Sequence, residues 1–191
     1  MKKLVVIILI LCAYNSLFSQ SNLKTYTWEQ AKLKGPDSVY SISFERMRLS
    51  SIPSELFLYT NLIKLDLSKN KLDSLPFEIV KLIHLQNLDI GKNNFIQFPP
   101  IICELKNLKS LSLNRNEITG IPNEIEKLVL LEKIDLWETP LEKFPDAFVS
   151  MKNLKFIDSR GVSHGEKYQK YWSENLPWIK IEFDAPCNCA N

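Results

Sequence analysis

Glycine, histidine and cysteine are scarce in this chain of 191 residues, which contains five, two and four of them. So few glycines leave no glycine-rich loop that could cradle a phosphate, and neither G-x-S-x-G nor H-E-x-x-H occurs. The two histidines are too few for the usual zinc sites. The sequence therefore predicts a protein that is not an enzyme, with no catalytic residues, no cofactor and no metal.

A large excess of one charge is also missing. The chain has 24 Lys+Arg and 22 Asp+Glu, a formal net charge of +2. Removal of a leader that contains Lys2 and Lys3 would leave the basic and acidic residues equal in number. Nucleic-acid binding depends on a basic excess that displaces counterions, so the composition predicts no nucleic-acid partner.

Long hydrophobic runs are confined to the N-terminus. "MKK" is followed by "LVVIILILCAYNSLF" and then "SQS", a pattern typical of a secretory signal peptide at residues 1–19, with cleavage between Ser19 and Gln20. The run is short for a bilayer span and no second one follows, which predicts no membrane span in the mature chain. Lipid attachment at Cys12 is the alternative, although Leu11 stands where a small residue is preferred.

Three cysteines remain after the leader. Cys103 is expected to pack as a small hydrophobic residue. Cys187 and Cys189 could form a disulfide if the chain turns between them, or half of a metal site, and the sequence leaves this open.

Apolar residues recur every 23 positions through most of the chain. One column begins each unit, a second follows three residues later and a third two residues after that, as in L-x-x-L-x-L. These columns are Val39, Leu62, Leu85, Leu108, Leu131 and Leu154; Ile42, Leu65, Leu88, Leu111, Ile134 and Ile157; and Phe44, Leu67, Ile90, Leu113 and Leu136. Asparagine recurs at 70, 93 and 116, and a hydrophobic-proline pair recurs at 53, 76, 99, 122 and 145.

The unit L-x-x-L-x-L-x-x-N-x-L-x-x-L-P-x-x-I-x-x-L resembles the leucine-rich repeat in its 23-residue form with proline, over residues 39–159. The resemblance implies an α/β solenoid: a right-handed horseshoe with a parallel concave sheet, short helices on the convex side, and caps at both ends. The L-x-L alternation independently indicates a strand, and the proline fixes the backbone where the convex side begins.

The expected organisation places a signal peptide at 1–19 and an N-terminal cap helix at 20–38. About five full repeats and a degenerate sixth occupy 39–161, and a C-terminal cap, helix then strand, occupies 162–191. In the first cap, Thr27 and Gln30 have capping-box spacing, which predicts a helix over 28–34 with Trp28, Ala31 and Leu33 covering the first unit. In the second cap, the strand "PWIKIEF" is expected to join the sheet edge beside residues 155–159.

Side chains between and just after the strand leucines should face the concave side. Strand neighbours lie about 4.8 Å apart, so Asp66 should adjoin Asp89, and Asp135 should adjoin Asp158. A basic row at the strand ends comprises Arg46, Lys69, Lys92 and Arg115. The candidate ligand-binding residues are therefore Asp66, Asp89, Asp135, Asp158, Lys69, Lys92, Arg115 and Trp137. The alternative interpretation is a solvated face with weak surface ion pairs.

Trp137 stands in a column that otherwise holds small or polar residues, so it is expected to be exposed. Exposed aromatic side chains are typical anchors of binding sites; the alternative is that the ring lies against Glu138, Arg115 or the C-terminal cap.

The resemblance implies non-catalytic recognition of a protein partner on the concave face. The alternative function is binding of a carbohydrate or cell-wall glycan through Trp137 and the neighbouring aspartates. The N-terminus resembles those of exported bacterial proteins, which predicts the periplasm, the outer surface or secretion.

Overall fold

The protein forms one continuous parallel sheet along its length. The computed structural model describes residues 23–162 and 164–185. The expected signal peptide, Cys12, Cys187 and Cys189 lie outside the described residues. Eight strands pair in sequence order. They are β1 (Tyr26–Thr27), β2 (Ser41–Ser43), β3 (Lys64–Asp66), β4 (Asn87–Asp89), β5 (Ser110–Ser112), β6 (Lys133–Asp135), β7 (Phe156–Asp158) and β8 (Lys180–Glu182).

From β2 to β7 each residue pairs with the one 23 positions later, which is the period of the sequence. Ile42 lies beside Leu65 and Leu65 beside Leu88. The same register continues through Leu111, Ile134 and Ile157. All of these central strand residues are buried. Because side chains alternate across a strand, the flanking polar residues turn to the opposite, concave face.

The convex side is built from short 3-10 segments. They are Ser54–Leu58, Phe77–Lys81, Pro100–Glu104, Asn123–Lys127 and Asp146–Val149. Proline stands at the N-cap of each one. The expected short helices are thus tighter 3-10 segments, because each comprises only four or five residues, which is little more than one turn.

The recurrent asparagines tie successive units together, as Asn93 illustrates. Its Oδ1 accepts a hydrogen bond from the Leu72 amide at 3.0 Å, one unit earlier. Its Nδ2 donates to the carbonyls of Leu67 at 3.0 Å and Ile90 at 2.9 Å. Asn70 and Asn116 repeat this arrangement. In the next unit Thr139 donates to the Leu113 carbonyl at 3.2 Å. The amides satisfy backbone groups that the turns would otherwise leave buried and unpaired.

The N-terminal cap contains helix α1, Trp28–Lys34, and the capping box between Thr27 and Gln30 is present. Trp28 and Ala31 are buried and cover the first unit, with the Trp28 ring 5.1 Å from that of Phe44. Leu33 is 89% exposed, so the expectation that it helps to cover the unit is wrong. Leu33 lies two residues beyond Ala31, which rotates it by about 200° to the solvent side of the helix.

The C-terminal cap contains helix α2, Glu166–Asn175, followed by β8, which pairs in parallel with β7. Phe144 packs at its centre between Tyr168 and Trp172, with ring centroids 5.6 Å and 5.3 Å away. The Tyr168 hydroxyl accepts a hydrogen bond from the Phe144 amide at 2.9 Å. His164 is buried and stacked on Tyr168 at 4.3 Å, and burial lowers its pKa. The cap covers the last repeat with aromatic rings.

Candidate functional site

The central column of the concave face carries the four predicted aspartates. Asp66 pairs in register with Asp89, and Asp135 with Asp158, so the two predicted neighbouring pairs are present. Ser112 occupies the position between Asp89 and Asp135. The 23-residue period thus collects these carboxylates along one line across the sheet.

Each of these aspartates also ends its own strand. The carboxylate accepts a hydrogen bond from the backbone amide two residues later, at 2.8–3.2 Å. The pairs are Asp66 with Ser68, Asp89 with Gly91, Asp135 with Trp137, and Asp158 with Arg160. Asp side chains commonly close turns in this way. Turn formation therefore accounts for the recurrence of aspartate without a ligand.

The four carboxylates differ in how much hydrogen-bonding capacity remains. Asp135 Oδ2 also accepts from Ser112 Oγ at 3.0 Å and from Asn114 Nδ2 at 2.6 Å, so its neighbours occupy both oxygens. Gly91 permits this, because a Cβ there would lie 2.6 Å from Asn114 Oδ1. Burial, aided by the nearby carboxylates of Asp66 and Asp135, raises the pKa of Asp89.

Asp158 is not open to a ligand in the way that the sequence suggested. It is 8% exposed, and the Arg160 guanidinium contacts its Oδ2 at 2.6 Å and Oδ1 at 2.9 Å. Arg160 holds the pKa of this carboxyl below its usual range. The reason is the C-terminal cap, because Glu182 on β8 contacts Arg160 at 3.4 Å and draws it over the edge of the sheet.

The predicted basic row, here called the cation row, comprises Arg46, Lys69, Lys92 and Arg115. These residues occupy the same turn position in four successive units, with φ of 60°, 58°, 53° and 53°. Glu45 contacts Lys69 at 2.7 Å and Arg46 at 3.5 Å. Glu138, from the next unit in the same column, contacts Arg115 Nε at 2.7 Å. Three members of the row are therefore paired, and Lys92 forms no ion pair with residues 23–162 and 164–185.

Trp137 is half-buried rather than fully exposed. The Arg115 guanidinium lies 4.1 Å from the ring centroid and covers one face of it. Glu138, which holds the same guanidinium, lies next to Trp137 in the chain. The indole and the two charged groups thus form a fixed cluster, which was the alternative to an isolated anchor.

The comparisons with known proteins agree with this architecture. A family model described as "Leucine rich repeat" matches residues 83–141, and one described as "Leucine Rich repeats (2 copies)" matches residues 60–103. A leucine-rich-repeat protein of Leptospira interrogans is 31% identical with a TM-score of 0.62, over 76% of this chain and 36% of that one. This chain is a leucine-rich-repeat protein.

A second leucine-rich-repeat structure is similar over the same share of the chain. It is the ectodomain of the plant membrane receptor kinase GASSHO1/SCHENGEN3 of Arabidopsis thaliana, in complex with CASPARIAN STRIP INTEGRITY FACTOR 2. The identity is 29% and the TM-score 0.58, over 76% of this chain and 18% of that one. The chain thus spans about a third of the Leptospira protein and under a fifth of the plant ectodomain. No curated protein matches it.

The concave face of this leucine-rich-repeat protein is open and polar. Within residues 23–162 and 164–185 no cluster of three or more His, Cys, Asp or Glu side chains could hold a metal ion. Over the same ranges neither helix has the length and apolar character to cross a bilayer. A shallow depression of about 500 Å³ lies between Lys92 and Arg115 and is also lined by Glu117 and Glu138.

Three contacts were not predicted from the sequence. Glu45 and Glu138 pair with the cation row, and Asn114 donates a hydrogen bond to Asp135. The Arg115–Glu138 pair could have been predicted, because Glu138 stands in the same column as Arg115, one unit later, with the opposite charge. Asn114 could not, since its position depends on the space above Gly91.

Proposed function

We propose that this protein is a non-catalytic recognition module that binds a protein partner on its concave face. The observation that supports this most strongly is the combination of a continuous sheet with a polar face that is uncovered across β3–β6. Repeat solenoids use such extended concave surfaces for binding. The plant ectodomain that resembles this chain was solved with a bound factor.

The fixed Arg115–Trp137–Glu138 cluster supports the same proposal. Tryptophan and arginine are the side chains that most often dominate binding energy at protein interfaces. Here the stack and the ion pair hold both in one arrangement before any partner arrives. Less conformational entropy is then lost on association. Because Arg115 covers one ring face, at most one face remains for stacking against a sugar.

Site-specific photo-cross-linking tests this proposal. A photoreactive amino acid replaces Lys133, exposed on the concave face, and in a matched control it replaces Glu126, exposed on the convex side. We expect a discrete protein to be cross-linked from position 133 in extracts of the source organism and not from position 126. That protein, once purified, should bind the wild-type chain, and Trp137→Ala should weaken the affinity. Equal cross-linking from both faces would refute the proposal.

A further inference from the structure

The cation row occupies a backbone position that does not suit its side chains. Arg46, Lys69, Lys92 and Arg115 all have positive φ. Residues with a Cβ adopt this left-handed region at a cost, and glycine, asparagine and aspartate tolerate it best. Two units after Arg115, Gly161 stands in the same column with φ of 81°. Glycine therefore fits this turn, and turn geometry does not explain four successive long cations.

The cation row has fewer ion-pair partners than cations. Within residues 23–162 and 164–185 its partners are only Glu45 and Glu138: Glu45 is shared between Lys69 and Arg46, and Glu138 is bound to Arg115. Lys92, the third member of the row, forms no ion pair with any described residue. Long, charged side chains thus occupy a strained backbone position, and the charge of Lys92 is unpaired among the residues that the structure describes.

Lys92 lies across a depression from Arg115, whose guanidinium is held in place by its own contacts. Arg115 is held by the Trp137 ring at 4.1 Å and by Glu138 at 2.7 Å, and the depression of about 500 Å³ separates it from Lys92. One unpaired cation and one fixed cation on adjacent units therefore flank an open hollow. A carboxylate entering the hollow can contact both, and hydrogen bonds between charged groups are stronger than those between neutral ones.

We propose that the cation row binds an acidic, extended peptide segment of the partner, with one carboxylate seated between Lys92 and Arg115. This rests on the proposed function, since it names the chemistry of a partner on the same face. Four units at about 4.8 Å span roughly 14 Å, which is the length of four to five extended residues. Glu45, Glu117 and Glu138 interrupt the row, so it suits spaced carboxylates and repels a uniform polyanion.

Fluorescence anisotropy at 20 mM salt tests the proposal with three labelled probes. The first is an eight-residue peptide of alternating Glu and Ser, the second has Gln in place of Glu, and the third is a sulfated oligosaccharide. The protein variants are Lys92→Glu and Lys92→Asn. The matched control is Lys81→Glu, a lysine exposed on the convex side. Thermal unfolding accompanies each variant, so that loss of binding is separated from loss of fold.

The acidic peptide should bind, the Gln peptide should not, and affinity should fall as salt rises because exposed charges are screened. Both Lys92 variants should weaken binding about tenfold, and Lys81→Glu should change it less than twofold. Lys92→Asn should keep or raise the melting temperature, because asparagine tolerates the left-handed turn.

Three results would overturn the proposal: no binding of the acidic peptide, equal effects of the Lys92 and Lys81 variants, or binding of the sulfated oligosaccharide alone. If cross-linking from position 133 still captures a protein, only the acidic-peptide inference fails. If that cross-linking also fails, the proposed function fails with it.

Discussion

Replacing Asn93 with alanine should strongly destabilise the solenoid. The change removes the acceptor of the Leu72 amide at 3.0 Å and the donor to the Leu67 and Ile90 carbonyls at 3.0 Å and 2.9 Å. Asn93 is buried, so water cannot replace these bonds without opening the turn. One orphaned buried group costs about 1–3 kcal/mol, and partial relaxation should limit the total to about 2–4 kcal/mol.

The neighbouring Asn94→Ala provides a matched control. Asn94 is exposed, and within residues 23–162 and 164–185 its side chain hydrogen-bonds only to the Lys71 carbonyl, at 3.5 Å. Its loss should cost less than about 0.5 kcal/mol. Urea unfolding followed by circular dichroism measures both, and the slope of the transition reports whether part of the array unfolds separately. Equal stabilities of the two variants would refute the argument that the buried amides tie the units together.

Three other variants test separate parts of the structure. Asp89→Asn should stabilise the protein at neutral pH, because burial raises the pKa of Asp89 and stability therefore falls as rising pH ionises this carboxyl. The gain in the free energy of unfolding should vanish near pH 3 in urea titrations. A gain that does not change with pH would contradict the explanation by ionisation of Asp89. Gly161→Ala should lower stability by about 1–3 kcal/mol, because φ is 81° and a Cβ would lie 2.8 Å from the Glu138 amide nitrogen; calorimetry that shows no change would contradict this. Because burial lowers the pKa of His164, wild type should lose stability as pH falls through the ordinary histidine range, and His164→Gln should flatten that dependence.

The repeat predicted most of the fold because burial of the strand leucines depends directly on the sequence. A spacing of 23 determines the register, and residues such as Leu65 and Leu88 have no other way to share one core. The role of Asn93 was predicted from the same repeat, since an asparagine that recurs at a turn is expected to hydrogen-bond to backbone groups. The candidate site residues also lie on the predicted face, although their role in binding stays a prediction.

The remaining features depend on local contacts that the hydrophobic columns do not determine. The aspartates end their strands through bonds to amides two residues later, for example Asp66 to Ser68. Asp158 is covered because β8 brings Glu182 and with it Arg160 over the edge. The two-residue strand β1 is too short to leave a periodic signal. The sequence did not predict the positive φ of the cation row, because arginine and lysine are not the residues that this conformation favours.

Lysine footprinting tests directly whether the concave face binds the partner. The sample is the complex reconstituted from the purified chain and the purified partner that cross-linking identifies. An amine-reactive reagent and mass spectrometry would report the reactivity of Lys64, Lys92 and Lys133 on the concave face, and of Lys81 and Lys152 on the convex side. The partner should protect the first three lysines and leave the last two reactive. Protection of Lys81 and Lys152, with the concave lysines unchanged, would contradict it.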